Sequence, residues 1–104
     1  MFTFIESSSF ENWKPKYLSD DENAELQQFL LAQPFAGDLV PGSGGVRKLR
    51  WKVRGRGKRG GVRIIYYARF EPNEFWMLTI YAKSRQENVP SHILKKLKEI
   101  FENE

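Results

Sequence analysis

The chain has 104 residues, 40% of them hydrophobic and 29% charged, a composition that suits one modest core and not a disordered polymer. It holds no cysteine and one histidine, His92, which excludes disulfide frameworks, thiolate catalysis, cysteine-based zinc sites and a two-histidine acid–base pair. No apolar run approaches the ~18 residues of a membrane span and no signal-peptide pattern opens the chain, so one cytoplasmic domain over residues 1–104, without membrane contact, is expected.

Charge is strongly segregated. Residues 1–38 hold two basic side chains against seven acidic ones, and residues 71–104 hold five against six. Residues 39–70 hold ten basic side chains and no acidic one. Segregation of this kind implies a polyanionic partner, with nucleic acid the leading candidate.

In chain order, residues 1–5 read as a short strand and residues 9–17 as a helix, with Phe10, Trp13 and Tyr17 on one face. Ser19-Asp20-Asp21-Glu22 has the form of a capping box that starts a second helix. Leu26, Phe29 and Leu30 supply its apolar stripe, and Pro34 stops it. Residues 34–45, rich in glycine and proline, read as a loop.

The period then changes from 3.6 to 2. In residues 47–54, Leu49, Trp51 and Val53 alternate with Lys48, Arg50, Lys52 and Arg54, the mark of a strand with one buried side. Residues 55–61 turn the chain. Residues 62–70 return as a strand with Val62, Ile64, Tyr66, Ala68 and Phe70 inward. After a turn at residues 71–74, residues 75–83 form a third strand with Trp76, Leu78, Ile80 and Ala82 inward. Pro90 opens a final helix with the stripe Ile93, Leu94, Leu97, Ile100 and Phe101. The order β-α-α-β-β-β-α predicts an α+β fold with helices packed on one face of an antiparallel sheet. Its other face would then carry Arg50, Lys52, Arg54, Arg63, Arg69 and Lys83, with Thr79 and Tyr81 among them.

Gly55-Arg56-Gly57-Lys58-Arg59-Gly60 matches the dinucleotide-binding glycine pattern, but that motif needs a helix after it and a strand follows here. A basic glycine-rich hairpin is the better reading. The cations of residues 48–54 could be an ordinary solvated face. Such faces mix signs, however, and like charges on neighbouring strands repel, so phosphate is the natural counter-charge. Arg63 stands inside an apolar strand, where a cation is costly unless it meets a charged ligand. Tyr67 and Tyr81 are better placed than Trp51, Trp76 or Tyr66 to meet bases. His92 and the Lys95, Lys96 and Lys98 group read as surface.

Three segments together resemble one family. They are Gly44-Gly45-Val46-Arg47-Lys48-Leu49-Arg50-Trp51, Gly57-Lys58-Arg59-Gly60-Gly61-Val62-Arg63-Ile64-Ile65-Tyr66-Tyr67, and Leu78-Thr79-Ile80-Tyr81-Ala82-Lys83-Ser84. They are similar to the RelE/HigB bacterial toxins of type II toxin–antitoxin systems, closest to the HigB branch. The resemblance implies a small RelE-like, microbial-ribonuclease-like fold, with two N-terminal helices on one face of an antiparallel sheet and a C-terminal helix. It implies a metal-independent endoribonuclease, needing no cofactor, that cuts mRNA in the A site of the 70S ribosome. Attack of the ribose 2′-hydroxyl on the adjacent phosphate needs charge stabilisation, a base and an acid. The implied partner is a cognate antitoxin of the helix-turn-helix HigA type, through which operator DNA is met only indirectly.

Residue by residue, the resemblance gives Arg63 the grip on the scissile phosphate, with Lys83 and Lys52 sharing proton transfer. Arg50, Arg54, Arg69 and Tyr81 join it as RNA and phosphate contacts. Several relatives carry a tyrosine or histidine soon after the last strand. Residues 84–104 have no tyrosine, and His92 does not clearly match. Lys83 is then the default acid. The rival reading is a non-catalytic module that binds nucleic acid or only an antitoxin, as a decayed toxin would.

Overall fold

The computed structural model describes residues 1–53, 61–83 and 89–103, which form three helices and five strands. They are β1 (Thr3–Glu6), α1 (Ser8–Tyr17), α2 (Asp20–Ala32), β2 (Asp38–Leu39), β3 (Arg47–Trp51), β4 (Val62–Arg69), β5 (Glu74–Ala82) and α3 (Ser91–Glu102). The glycine-rich turn over residues 55–60 lies outside the described residues.

The helix starts follow their sequence signals. At α2 the Glu22 amide donates to Ser19 Oγ (3.1 Å) and the Ser19 amide donates to Glu22 Oε1 (2.8 Å), so both halves of the capping box form. Ser7 caps α1 by accepting from the Phe10 amide (3.1 Å). Its own hydroxyl donates to the Leu78 carbonyl (2.5 Å), which fixes the start of α1 beside β5.

The sheet order is β1-β5-β4-β3-β2. β3, β4 and β5 run antiparallel as expected, but β1 lies parallel to β5, from Thr3 opposite Glu74 to Glu6 opposite Met77. The sheet is therefore mixed, and the crossover that a parallel pair requires is here the whole intervening chain. β2 is a two-residue strand within the expected loop, too short to show a period.

Both faces of the sheet are covered. The two N-terminal helices share one face, as the resemblance implies, while α3 takes the other, which corrects the element-order expectation of all helices on one face. Phe10, Tyr17, Leu26 and Leu30 of α1 and α2 pack with Leu49, Ile64, Tyr66, Phe75 and Ile80. Leu94 of α3 packs with Val46, Ile65, Trp76, Leu78 and Tyr81 on the opposite face. Phe101 stacks on Trp76 at 5.2 Å between ring centroids, and Lys98 Nζ donates to the Gly44 carbonyl (3.0 Å). Lys98 is thus a brace and not part of a solvated helix face.

β5 serves both cores because its ladder with β4 shifts by one residue. Ile65 faces Thr79, but Tyr66 faces Met77, so Leu78 is extra. One additional residue exchanges the faces of everything beyond it. Phe75 and Met77 therefore turn toward α1 and α2 with Ile80 and Ala82, while Trp76 and Leu78 turn toward α3. Strict alternation had put Phe75 and Met77 outside. Phe70, expected inward, stays half exposed at the end of β4, in edge contact with Phe2 at 5.4 Å.

Tyr66 is fully buried, and its hydroxyl reaches the Pro34 (3.0 Å) and Ala36 (2.7 Å) carbonyls. Burial pushes its pKa up to about 12, while the Arg47 charge pulls it down by less. A folded pKa above the unfolded value means the phenol's contribution is intact below pH ~10 and is lost as pH climbs toward 12. Urea midpoints should fall across that window, by about 1.4 kcal/mol of stability per pH unit. Tyr66→Phe should flatten the decline; an equally steep decline in that variant would refute the assignment.

Candidate active site

Cross-strand register builds the site. Arg50 on β3 pairs with Arg63 on β4, and Arg63 pairs with Tyr81 on β5. Directly opposed residues share a face at Cα separations of about 5 Å, so these three stand in one row about 10 Å long. Lys52 and Lys83 are exposed and stand just beyond the ends of β3 and β5, two residues past Arg50 and Tyr81. Between them comes Gly61, with φ +61°, so close to β3 that a Cβ would run into the Trp51 carbonyl. Only glycine fits there. Position 61 consequently carries no side chain.

α3 divides this face of the sheet. It covers the part around Ile65, Trp76 and Leu78 and leaves Arg50, Lys52 and Lys83 exposed. Between Arg50 and Tyr81, Arg63 is only 5% exposed, and its guanidinium donates to the Val62 carbonyl (3.4 Å). A guanidinium is planar, always charged and matched to the oxygens of a phosphate. Beside the exposed Arg50, it makes this row a candidate anion site.

Tyr81 completes the row. It is 8% exposed, and its hydroxyl is buried without a hydrogen-bond partner. Burial pushes its pKa up, against a smaller opposing effect of the Arg63 charge.

Of the seven sequence-predicted site residues, Arg50, Arg63 and Tyr81 share the row by register, and Lys52 and Lys83 follow the ends of the two flanking strands. Arg54 lies outside the described residues. Arg69 does not join them. It is six residues along β4 from Arg63, roughly 20 Å away at strand rise, with its guanidinium 5.3 Å from the Trp76 ring. Tyr67 is not an open base platform either, since Lys98 Nζ lies 4.4 Å from its ring centre and Trp76 packs beside it. Thr79, expected outward among the cations, shares a hydrogen bond with Ser9 of α1 (2.9 Å).

Sequence reasoning missed Trp13 as a site candidate. Its spacing from Phe10 and Tyr17 marked a core face, yet it is 47% exposed at the edge of β5. Among the described residues no group of three histidine, aspartate or glutamate side chains could hold a metal ion. No described helix is long and apolar enough to cross a membrane.

A small α+β domain with a buried arginine in a cationic sheet face is the class that the geometry defines. The chain belongs to the family described as "RelE toxin of RelE / RelB toxin-antitoxin system", whose pattern matches residues 7–103. The fold is also that of a free-state structure of an arginine-to-alanine double mutant of the E. coli toxin RelE. That likeness has a TM-score of 0.57 at 13% identity and covers 91% of this chain and 94% of that one. The protein is therefore a toxin of a toxin–antitoxin system.

Proposed function

We propose that this toxin is a ribosome-dependent mRNA endoribonuclease that acts without a metal, as one domain in the bacterial cytoplasm. The observation that carries the reading is the buried Arg63 at the centre of the row Arg50–Arg63–Tyr81, with Lys52 and Lys83 exposed just beyond the ends of β3 and β5.

The reaction is attack of a ribose 2′-oxygen on the adjacent phosphorus with departure of the 5′-oxygen. Its products are a 2′,3′-cyclic phosphate and a 5′-hydroxyl end. Negative charge concentrates on the phosphorane oxygens, where a fixed, poorly solvated guanidinium acts most strongly. Lys52 and Lys83 stand on opposite sides of Arg63, one strand away each, so one can face the entering 2′-oxygen and the other the leaving 5′-oxygen. Lys52 is assigned the base and Lys83 the acid, with Arg50 and Arg54 holding neighbouring phosphates. We assign the toxin to the HigB branch on its resemblance in three segments, with a HigA-type antitoxin as the corresponding partner, linking it indirectly to operator DNA.

Primer extension on translated mRNA, with and without 70S ribosomes, tests the proposal. Wild-type protein should produce cuts only with ribosomes, and Lys83→Ala should slow them by about 10²-fold or more, in keeping with loss of a general acid. A wild type that binds RNA with a steep salt dependence yet leaves the message intact would instead be the non-catalytic module.

A further inference from the structure

Beside the edge of β5, α1 and α3 leave a cleft of about 330 Å³ lined by Trp13, Tyr17, Thr79, Tyr81, Val89 and Leu97. Nothing in the toxin chemistry above uses it. Three features define what it could hold. Its walls are mainly apolar and aromatic, which rejects a phosphate and accepts a flat heterocycle. Its volume is at the small end of the roughly 300–1,000 Å³ typical of ligand sites, enough for one base and too little for a whole nucleotide chain. Tyr81 is one of its walls, and the hydroxyl of that residue is buried with no hydrogen-bond partner.

An unpartnered buried hydroxyl carries a desolvation cost, and such groups call for an explanation in a native structure. Tyr81 also pairs in register with Arg63, so cleft and anion site share a wall. A phosphate held on Arg63 therefore has its own nucleoside within reach of the cleft, and no other ligand class is delivered there by the cations. Trp13, 47% exposed, lines the cleft, with Lys16 Nζ 5.4 Å from its ring centre. Stacking on such a ring is tolerant of base identity, whereas a hydrogen bond from a fixed phenol is not.

We propose that this cleft is a nucleobase pocket for the nucleotide adjoining the phosphate on Arg63, with Trp13 stacking the base and the Tyr81 hydroxyl selecting it. The proposal rests on the RNA-cleaving reading for its biological role, but the binding itself does not require cleavage.

The test is equilibrium binding of the four nucleoside 5′-monophosphates and of inorganic phosphate to the intact protein, read by tryptophan quenching and by calorimetry. The nucleotides should bind more tightly than phosphate and differ among themselves. Trp13→Ala should weaken all four by about tenfold or more, in line with loss of one stacked base. Tyr81→Phe should erase the differences by removing about tenfold in favour of the preferred base, the scale of one hydrogen bond. The phenylalanine variant should melt no lower than wild type, which separates a selecting hydroxyl from a structural one. Equal binding of all nucleotides and phosphate, or an unchanged profile in Tyr81→Phe, would overturn the pocket. Base-selective binding by a wild type that cuts no RNA would uphold the pocket and sink the endonuclease reading alone.

Discussion

Arg63→Ala will lower mRNA cleavage by about 10²–10³-fold or more and remove growth arrest, while the protein remains folded. The magnitude is that of deleting one fixed charge-stabilising donor from a transition state. The argument for folding is geometric. Arg63 is at the edge of the α3-covered cluster, and its directly opposed neighbour on β3 is another arginine, so its removal relieves like-charge crowding. Arg63→Lys separates charge from shape. An ammonium retains the charge but not the planar fork, so partial activity should return without full recovery. Circular dichroism and a melting curve must accompany the cleavage assay. A folded Arg63→Ala protein with full toxicity would remove the mechanism.

The second large effect concerns stability. Phe10→Ala should cost about 3–5 kcal/mol, because a fully buried aromatic leaves a cavity that the sheet cannot close. Phe10 is the first α1 side chain seated in the larger core, and α1 packs along β5. Against the 5–15 kcal/mol that typically separates folded from unfolded domains, this loss leaves little margin. Leu94→Ala makes the contrast. It removes the one fully buried side chain of α3, on the other face of the sheet, and should cost about 2–5 kcal/mol. Hydrogen exchange should then show α3 amides opening well before those of β4. If both variants unfold as one unit with equal losses in every element, the two cores are not energetically separable.

Much of the site was legible because it depends on period two. Arg50, Arg63 and their neighbours fall on one face by alternation alone, and the β3–β4 ladder keeps that alternation unbroken from Arg47 to Trp51. The capping box at Ser19 was equally readable, since it is a local contract among four residues. What escaped depended on distance in sequence. A one-residue shift in β5 has no signature in a run such as Phe75-Trp76-Met77-Leu78, where either parity gives a hydrophobic face. The side chosen by α3 depends on which half of that run it meets. The parallel pairing of β1 is a property of two segments some 70 positions apart. Trp13 was misjudged because amphipathic spacing tells which side of a helix turns inward, and not whether the partner element extends far enough to cover it.

The supernumerary residue in β5 also sets how this protein tolerates change. Upstream of it the strand is ordinary scaffold; downstream, its phase determines which way Tyr81 and Lys83 are aimed. Deleting a single position near Leu78 would preserve composition, charge and hydropathy almost unchanged. It would nonetheless rotate the phenol and the ammonium to the back of the sheet, disarming the protein by geometry alone.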